Sequence, residues 1–140
     1  MDFLSFEQRT LKRDGEIGLI FGIGVDVIEI SRIARATQSE HFNEKVYTKA
    51  ELTETKKLAH RLAGFFAAKE ALLKAMGTGL VGFNWCEMEV VHNEQGAPFF
   101  QLNGKVAFFL ETQKVTRVHL TISHCREYAV AQVILEKMDN

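Results

Sequence analysis

The stretch Phe66-Ala67-Ala68-Lys69-Glu70-Ala71-Leu72-Leu73-Lys74-Ala75-Met76-Gly77-Thr78-Gly79 constrains this chain more than any other. It has the pattern of a long helix with three charges set into an apolar surface. At about 100° per residue, Glu70 and Lys74 share a face with Ala63, Ala67 and Gly77, and Leu62, Phe65, Leu72 and Met76 lie opposite. A helix apolar almost all round is expected to be buried. A charge on it then needs a partner, because an isolated buried charge is very costly. The helix is expected over about Leu58 to Met76, ended by Gly77 and Gly79, since glycine tolerates the left-handed conformation common at helix ends.

The rest of the pattern is mixed. Leu19 to Val25 reads as a buried strand, with Asp26 directly after it and a helix over about Ile28 to Ala36. Thr48 and Glu51 have capping-box spacing and open another helix. Trp85 to Val91 alternates in part, Gln95-Gly96-Ala97-Pro98 is a turn, and Phe99 to Leu102 pairs back across it. Gly104 to about Gln113 is helical. Val118, Leu120 and Ile122 alternate with His119, Thr121 and Ser123, and a last strand covers Tyr128 to Leu135. Helices and hairpins without a steady strand–helix alternation predict an α+β fold.

At 140 residues, with 46% hydrophobic and 25% charged residues, one globular domain is the simplest organisation. The more polar leader, residues 1–19, is taken as an N-terminal extension and 20–140 as the domain. A net charge of −1 does not suggest a nucleic-acid partner. No apolar run approaches the roughly 20 residues of a membrane span. The N-terminus does not read as a signal peptide, so a cytoplasmic protein is expected. Cys86 and Cys125 fit no metal spacing and are too few for a disulfide framework.

Several residues have both a plain and a chemical reading. Asp26, at a strand end, is either a helix N-terminal carboxylate or a metal ligand that the fold brings near Glu70. Two carboxylates in one pocket repel, and Mg²⁺ suits such a pair when waters and substrate phosphates complete its shell. Glu70 and Lys74 are spaced for an ion pair of about 0.2–0.5 kcal/mol. Lys69 either snorkels to water or contacts an anion. Gly77-Thr78-Gly79 caps the helix or lets a ligand approach the backbone. Ser123-His124 ends a strand, where the pair has either a structural role or binds phosphate.

Three segments together resemble a known family. Gly22-Ile23-Gly24-Val25-Asp26-Val27-Ile28-Glu29-Ile30-Ser31-Arg32-Ile33 is similar to the N-terminal motif of holo-acyl-carrier-protein synthases. Phe66 to Ala71 with Lys74 and Gly77-Thr78-Gly79 resembles their second motif. Thr121-Ile122-Ser123-His124 followed by Glu127-Tyr128-Ala129-Val130-Ala131 resembles their third. The resemblance implies a short, AcpS-like 4'-phosphopantetheinyl transferase with an antiparallel sheet against a long central helix. Such an enzyme moves phosphopantetheine from coenzyme A to a serine of an apo acyl carrier protein, by default that of fatty-acid synthesis, and releases adenosine 3',5'-bisphosphate.

The resemblance also implies roles. Asp26 and Glu70 hold Mg²⁺, Glu70 takes the serine proton, and Lys74 neutralises the leaving phosphate. Lys69, Lys74, Thr78, Gly79, Gly96, Pro98, Ser123 and His124 contact coenzyme A, and Arg32 and Arg35 face an acidic carrier protein. A homotrimer with active sites between subunits is expected. The family often has arginine where this chain has Phe65, with Lys69 and His60 the cations available to compensate. Cys125 stands where some relatives carry Asp or Thr. The competing reading is a coenzyme A or carrier-protein binding protein of the same fold without transfer.

Overall fold

The structure is a computed structural model and describes residues 17–139. Strand β1 (Ile17–Glu29) leads into helix α1 (Ile30–Ala36), then α2 (Glu40–Val46), α3 (Lys49–Thr55) and the long α4 (Ala59–Met76). A 3₁₀ turn at Trp85–Glu87 precedes the hairpin of β2 (Met88–His92) and β3 (Pro98–Leu102), then α5 (Gly104–Thr112), β4 (Val115–His124) and β5 (Tyr128–Asp139). The sheet has the order β1-β5-β4, antiparallel throughout, and β2-β3 forms a separate two-stranded ladder. The α+β class with an antiparallel sheet against one long helix holds.

Helix α4 is the centre of the core. Leu62, Ala63, Ala67, Ala68, Ala71, Leu72, Leu73, Ala75 and Met76 are buried there against Ala129, Ala131, Val133 and Leu135 of β5. Each fully buried side chain of leucine size contributes about 1.5–3 kcal/mol. The helix stops at Gly77, whose φ of 77° places it in the left-handed region.

Strand β1 approaches α4 unusually closely. A Cβ built on Gly24 would lie 1.9 Å from the carbonyl oxygen of Ala71, and one on Gly22 would lie 2.0 Å from that of Ala75. No side chain fits either place, so the Gly-x-Gly pair lets backbone pack on backbone. The strand alternates, and Gly22, Gly24, Asp26 and Ile28 all face the helix. Asp26 is the first residue after the close approach that has a side chain to offer α4.

Several boundaries differ from the sequence reading. Asp26 lies inside β1, not at a strand–helix junction, because the ladder with β5 continues to Glu29 opposite Tyr128. That pairing takes Ile28 and Glu29 from the expected helix, and Glu29 makes no side-chain cap. Residues 17–19 pair with Lys137–Asp139 and belong to β1. The remainder of the expected N-terminal extension lies outside the described residues.

Candidate functional site

The glycine pair of β1 determines what sits beside α4. Lys74 reaches back across this contact and its Nζ donates to Asp26 Oδ1 at 3.1 Å and to the Val25 carbonyl at 3.0 Å. Asp26 is largely enclosed, and the Lys74 side chain is half-exposed. Glu70 stands one turn earlier on α4. Its carboxyl titrates above the ordinary range, first through burial and then through the negative charge of Asp26, with Lys74 opposing both. Asp26, Glu70 and Lys74 therefore form one cluster. The surface ion pair considered for Glu70 and Lys74 is replaced by a Lys74–Asp26 bridge.

Lys69 has a different place from the one expected of it. Both its side chain and that of Glu51 are 0% exposed. Its Nζ donates to Glu51 Oε1 at 2.7 Å, to the Val46 carbonyl at 2.6 Å and to the Trp85 carbonyl at 3.2 Å. Burial pushes its pKa down and the Glu51 carboxylate counters that. All three ammonium protons are used within the chain, so Lys69 has none to offer a ligand. Glu51 also accepts from the amides of Thr48 and Val90. The capping box expected at Thr48–Glu51 is present, and the same carboxylate serves as the partner that a buried charge on α4 required.

A cleft of about 390 Å³ opens at the other end of α4. Gly96, in the β2–β3 turn, Pro98 and His124 all line it, together with Glu54, His60, Arg61, Phe65 and His92. The His60 and His124 rings have centroids 5.1 Å apart. His92 is held by Glu54 at 2.6 Å, and its ring lies 5.7 Å from that of Phe65. Ser123 is exposed beside His124 but does not line the cleft. Thr78 and Gly79 follow α4 beyond Lys74, away from the cleft, where Thr78 Oγ1 donates to the Gly79 carbonyl at 2.9 Å. Arg32 and Arg35 are exposed on α1, which Ile33 anchors to the core.

His60 and Glu70 are ten residues apart on one helix, about 15 Å along its axis. The chain thus carries a carboxylate cluster and a histidine-lined cleft as two separate places. The family model described as the 4'-phosphopantetheinyl transferase superfamily matches residues 22–133, which span both. The chain belongs to this superfamily. It is similar to the holo-[acyl-carrier-protein] synthase of Fusobacterium nucleatum, 39% identical over 121 residues that cover 84% of this chain and 99% of the relative. The crystal structure of holo-[acyl-carrier-protein] synthase from Neisseria meningitidis superposes with a TM-score of 0.79 at 34% identity, covering 85% of this chain and all of that one. A Bacillus anthracis holo-(acyl-carrier-protein) synthase in complex with CoA (3',5'-ADP) gives 0.70 at 37% identity, over 84% and 97%.

Two features of this superfamily member were not read from the sequence. The Glu51 partnership of Lys69 joins residues 18 apart and has no local signature. Arg61 and His92 in the cleft were also missed. Arg61 precedes Phe65 by one helical turn, a spacing that puts both on one face, and that was the available signal.

Proposed function

We propose that the chain is a holo-[acyl-carrier-protein] synthase that transfers the 4'-phosphopantetheine of coenzyme A to a serine of an apo acyl carrier protein. The observation that carries this reading is the convergence of Asp26, Glu70 and Lys74 where β1 meets α4. The serine oxygen bonds to the phosphorus on the pantetheine side, and the diphosphate bridge breaks. Adenosine 3',5'-bisphosphate leaves, and Glu70 accepts the serine proton. A carboxylate with a raised pKa is better matched to that task than an ordinary one. Lys74 is placed to neutralise charge on the leaving phosphate. Such transfers depend mainly on positioning and electrostatic stabilisation.

Mg²⁺ fits this donor set. Among the described residues no group of three or more His, Cys, Asp or Glu is gathered as a metal cage. Two mutually repelling carboxylates suit an ion that keeps waters and binds substrate phosphates. Asp26 and Glu70 would hold it, and it would supply charge stabilisation to the diphosphate.

The carrier is that of fatty-acid synthesis in the cytoplasm, and the chain from Ile17 onward acts as one domain. Among the described residues no helix is long and apolar enough to cross a membrane. Arg32 and Arg35 on α1 steer an acidic carrier helix toward Asp26. Gly96, Pro98, Ser123 and His124 receive coenzyme A, and Thr78 and Gly79 shape its pocket. Incubation with coenzyme A, Mg²⁺ and an apo carrier should raise the carrier's intact mass by one phosphopantetheine. Tight coenzyme A binding with no mass change on several carriers would favour the binding-protein reading instead.

The two half-sites meet across a subunit boundary in a homotrimer. Supporting this, Ile23, Val25 and Val27 on the sheet face away from α4 are 62%, 53% and 60% exposed, a row of large apolar side chains that a monomer would leave wet. His119 and Glu136 pair on strands β4 and β5 of the same sheet. Sedimentation should give three chains per particle. Val25→Asp should give monomers with little turnover, and an active monomeric variant would refute the shared site.

A further inference from the structure

The loop that leaves α4 and the helix α5 place large apolar side chains on the surface together. Val81 is 89% exposed and Phe108 is 70% exposed. Both line a groove of about 400 Å³, together with Phe83, Phe109, Lys105 and Thr112. Phe109 joins this groove to strand β1, since its ring lies edge-on to Phe83 at 5.8 Å and to Phe21 at 6.5 Å. Phe21 is the residue at which the β1–β5 register shifts. Scattered exposed apolar residues are ordinary, but a groove lined by several of them marks a contact surface. Among the described residues, nothing covers Val81 or Phe108.

We propose that residues 1–16 of this same chain occupy the groove and cover Phe108. This segment joins the described chain at Ile17, four positions before Phe21. Four strand residues span about 13 Å, so the segment enters β1 close to the groove. It carries Phe3, Leu4, Phe6 and Leu11. At about 100° per residue these four fall within one half of a helical circumference, which they share only with Glu7 and Thr10. Asp14-Gly15 just before β1 is a turn pair, which lets the chain reverse over β1 toward α5. Residues 1–13 would span about 20 Å as a helix, enough to lie along α5. Other surfaces serve the other contacts. The row of Ile23, Val25 and Val27 offers a face to a second copy. Arg32 and Arg35 follow the far end of β1, about 26 Å along the strand from Phe21. The superfamily match begins at residue 22, so the segment lies outside the shared domain and its docking does not depend on the transferase reading.

The test is a double-mutant cycle on the full chain, read by thermal melts. Phe6→Ser and Phe108→Ser should each lower the melting temperature by about 3 °C or more, because each removes buried apolar area from one shared contact. The double variant should melt within about 1 °C of the lower single variant, since the contact can be lost only once. A phenylalanine with no partner predicts almost no change for Phe108→Ser. That result would overturn the proposal, as would single losses that simply add. Amide exchange of residues 104–112 gives a second readout. It should be faster in Phe6→Ser than in the parent, and equal exchange would also refute the docking. If Phe108→Ser changes the number of chains per particle, the groove belongs to a second copy. If Phe108→Ser alone weakens binding of an apo carrier while Phe6→Ser does not, it belongs to the carrier. Either outcome overturns the assignment to residues 1–16.

Discussion

Replacing Glu70 by glutamine is expected to lower kcat by about 10²-fold or more while the melting temperature stays the same or rises. The two halves of that result have one cause. The Glu70 carboxyl is pushed above its ordinary pKa by burial and by Asp26, so the fold favours its neutral form. In metal-free protein, the stability it contributes is complete below the ordinary carboxylate range and is lost as pH rises through the raised value. At neutral pH the ionised group is a cost that the fold carries for function, and glutamine removes it. Asp26→Asn should lower turnover to a similar degree, but it loses the Lys74 bridge and with it a few tenths of a kcal/mol to about 1 kcal/mol, since Lys74 is half-exposed. The checks are a transfer assay at saturating coenzyme A and thermal melts in a chelator. Near-normal turnover in both variants would remove these residues from the mechanism. A marked drop in melting temperature for Glu70→Gln would instead assign Glu70 a structural role.

Local chemistry made much of this fold legible in the sequence. The helix 59–76, its glycine stop, the capping box at Thr48–Glu51 and the hairpin around Gly96 each depend on residues within a few positions of one another. The end of β1 depends on pairing with β5 about 100 residues away, and this is why Asp26 was expected at a junction and lies within a strand. The site divides in the same way. In the cluster of Asp26, Glu70 and Lys74, helical spacing joins the last two, but no spacing rule joins residues 26 and 70, so their meeting stands in the sequence as one of two readings until the family resemblance favours it. The close approach that joins them is nevertheless written in Gly22 and Gly24, whose missing side chains become interpretable once α4 is seen against them. Lys69 is the opposite case. Its neighbours along the helix give no sign of Glu51, so the sequence allows a ligand contact or a solvent-facing ammonium, and the structure shows neither.

Lys69→Met is expected to destabilise the protein by about 3–5 kcal/mol, a loss that for a chain of this size lowers the melting temperature by roughly 10–20 °C. The magnitude follows from what is left behind. Glu51 would remain fully buried with its charge uncompensated, and the carbonyls of Val46 and Trp85 would each lose a donor. An unpaired buried carboxylate costs more than the pair contributes, so the second substitution should repair part of the first. Glu51→Gln in the Lys69→Met background removes the orphan charge and keeps an acceptor for the amides of Thr48 or Val90. The double variant should therefore be more stable than Lys69→Met alone, by about 1 kcal/mol or more. A ligand-contact role for Lys69 predicts the reverse pattern: a small stability change, a large rise in KM for coenzyme A, and no rescue by Glu51→Gln. The structural role predicts that Lys69→Met, measured well below its lowered melting point, keeps its affinity for coenzyme A. The ammonium links the end of α2, the capped start of α3, the 3₁₀ turn and α4, and Glu51 adds β2. Any loss of turnover in that cold measurement should then be in kcat, through Glu70 on the next position of the same helix, and a KM effect would argue against the structural assignment.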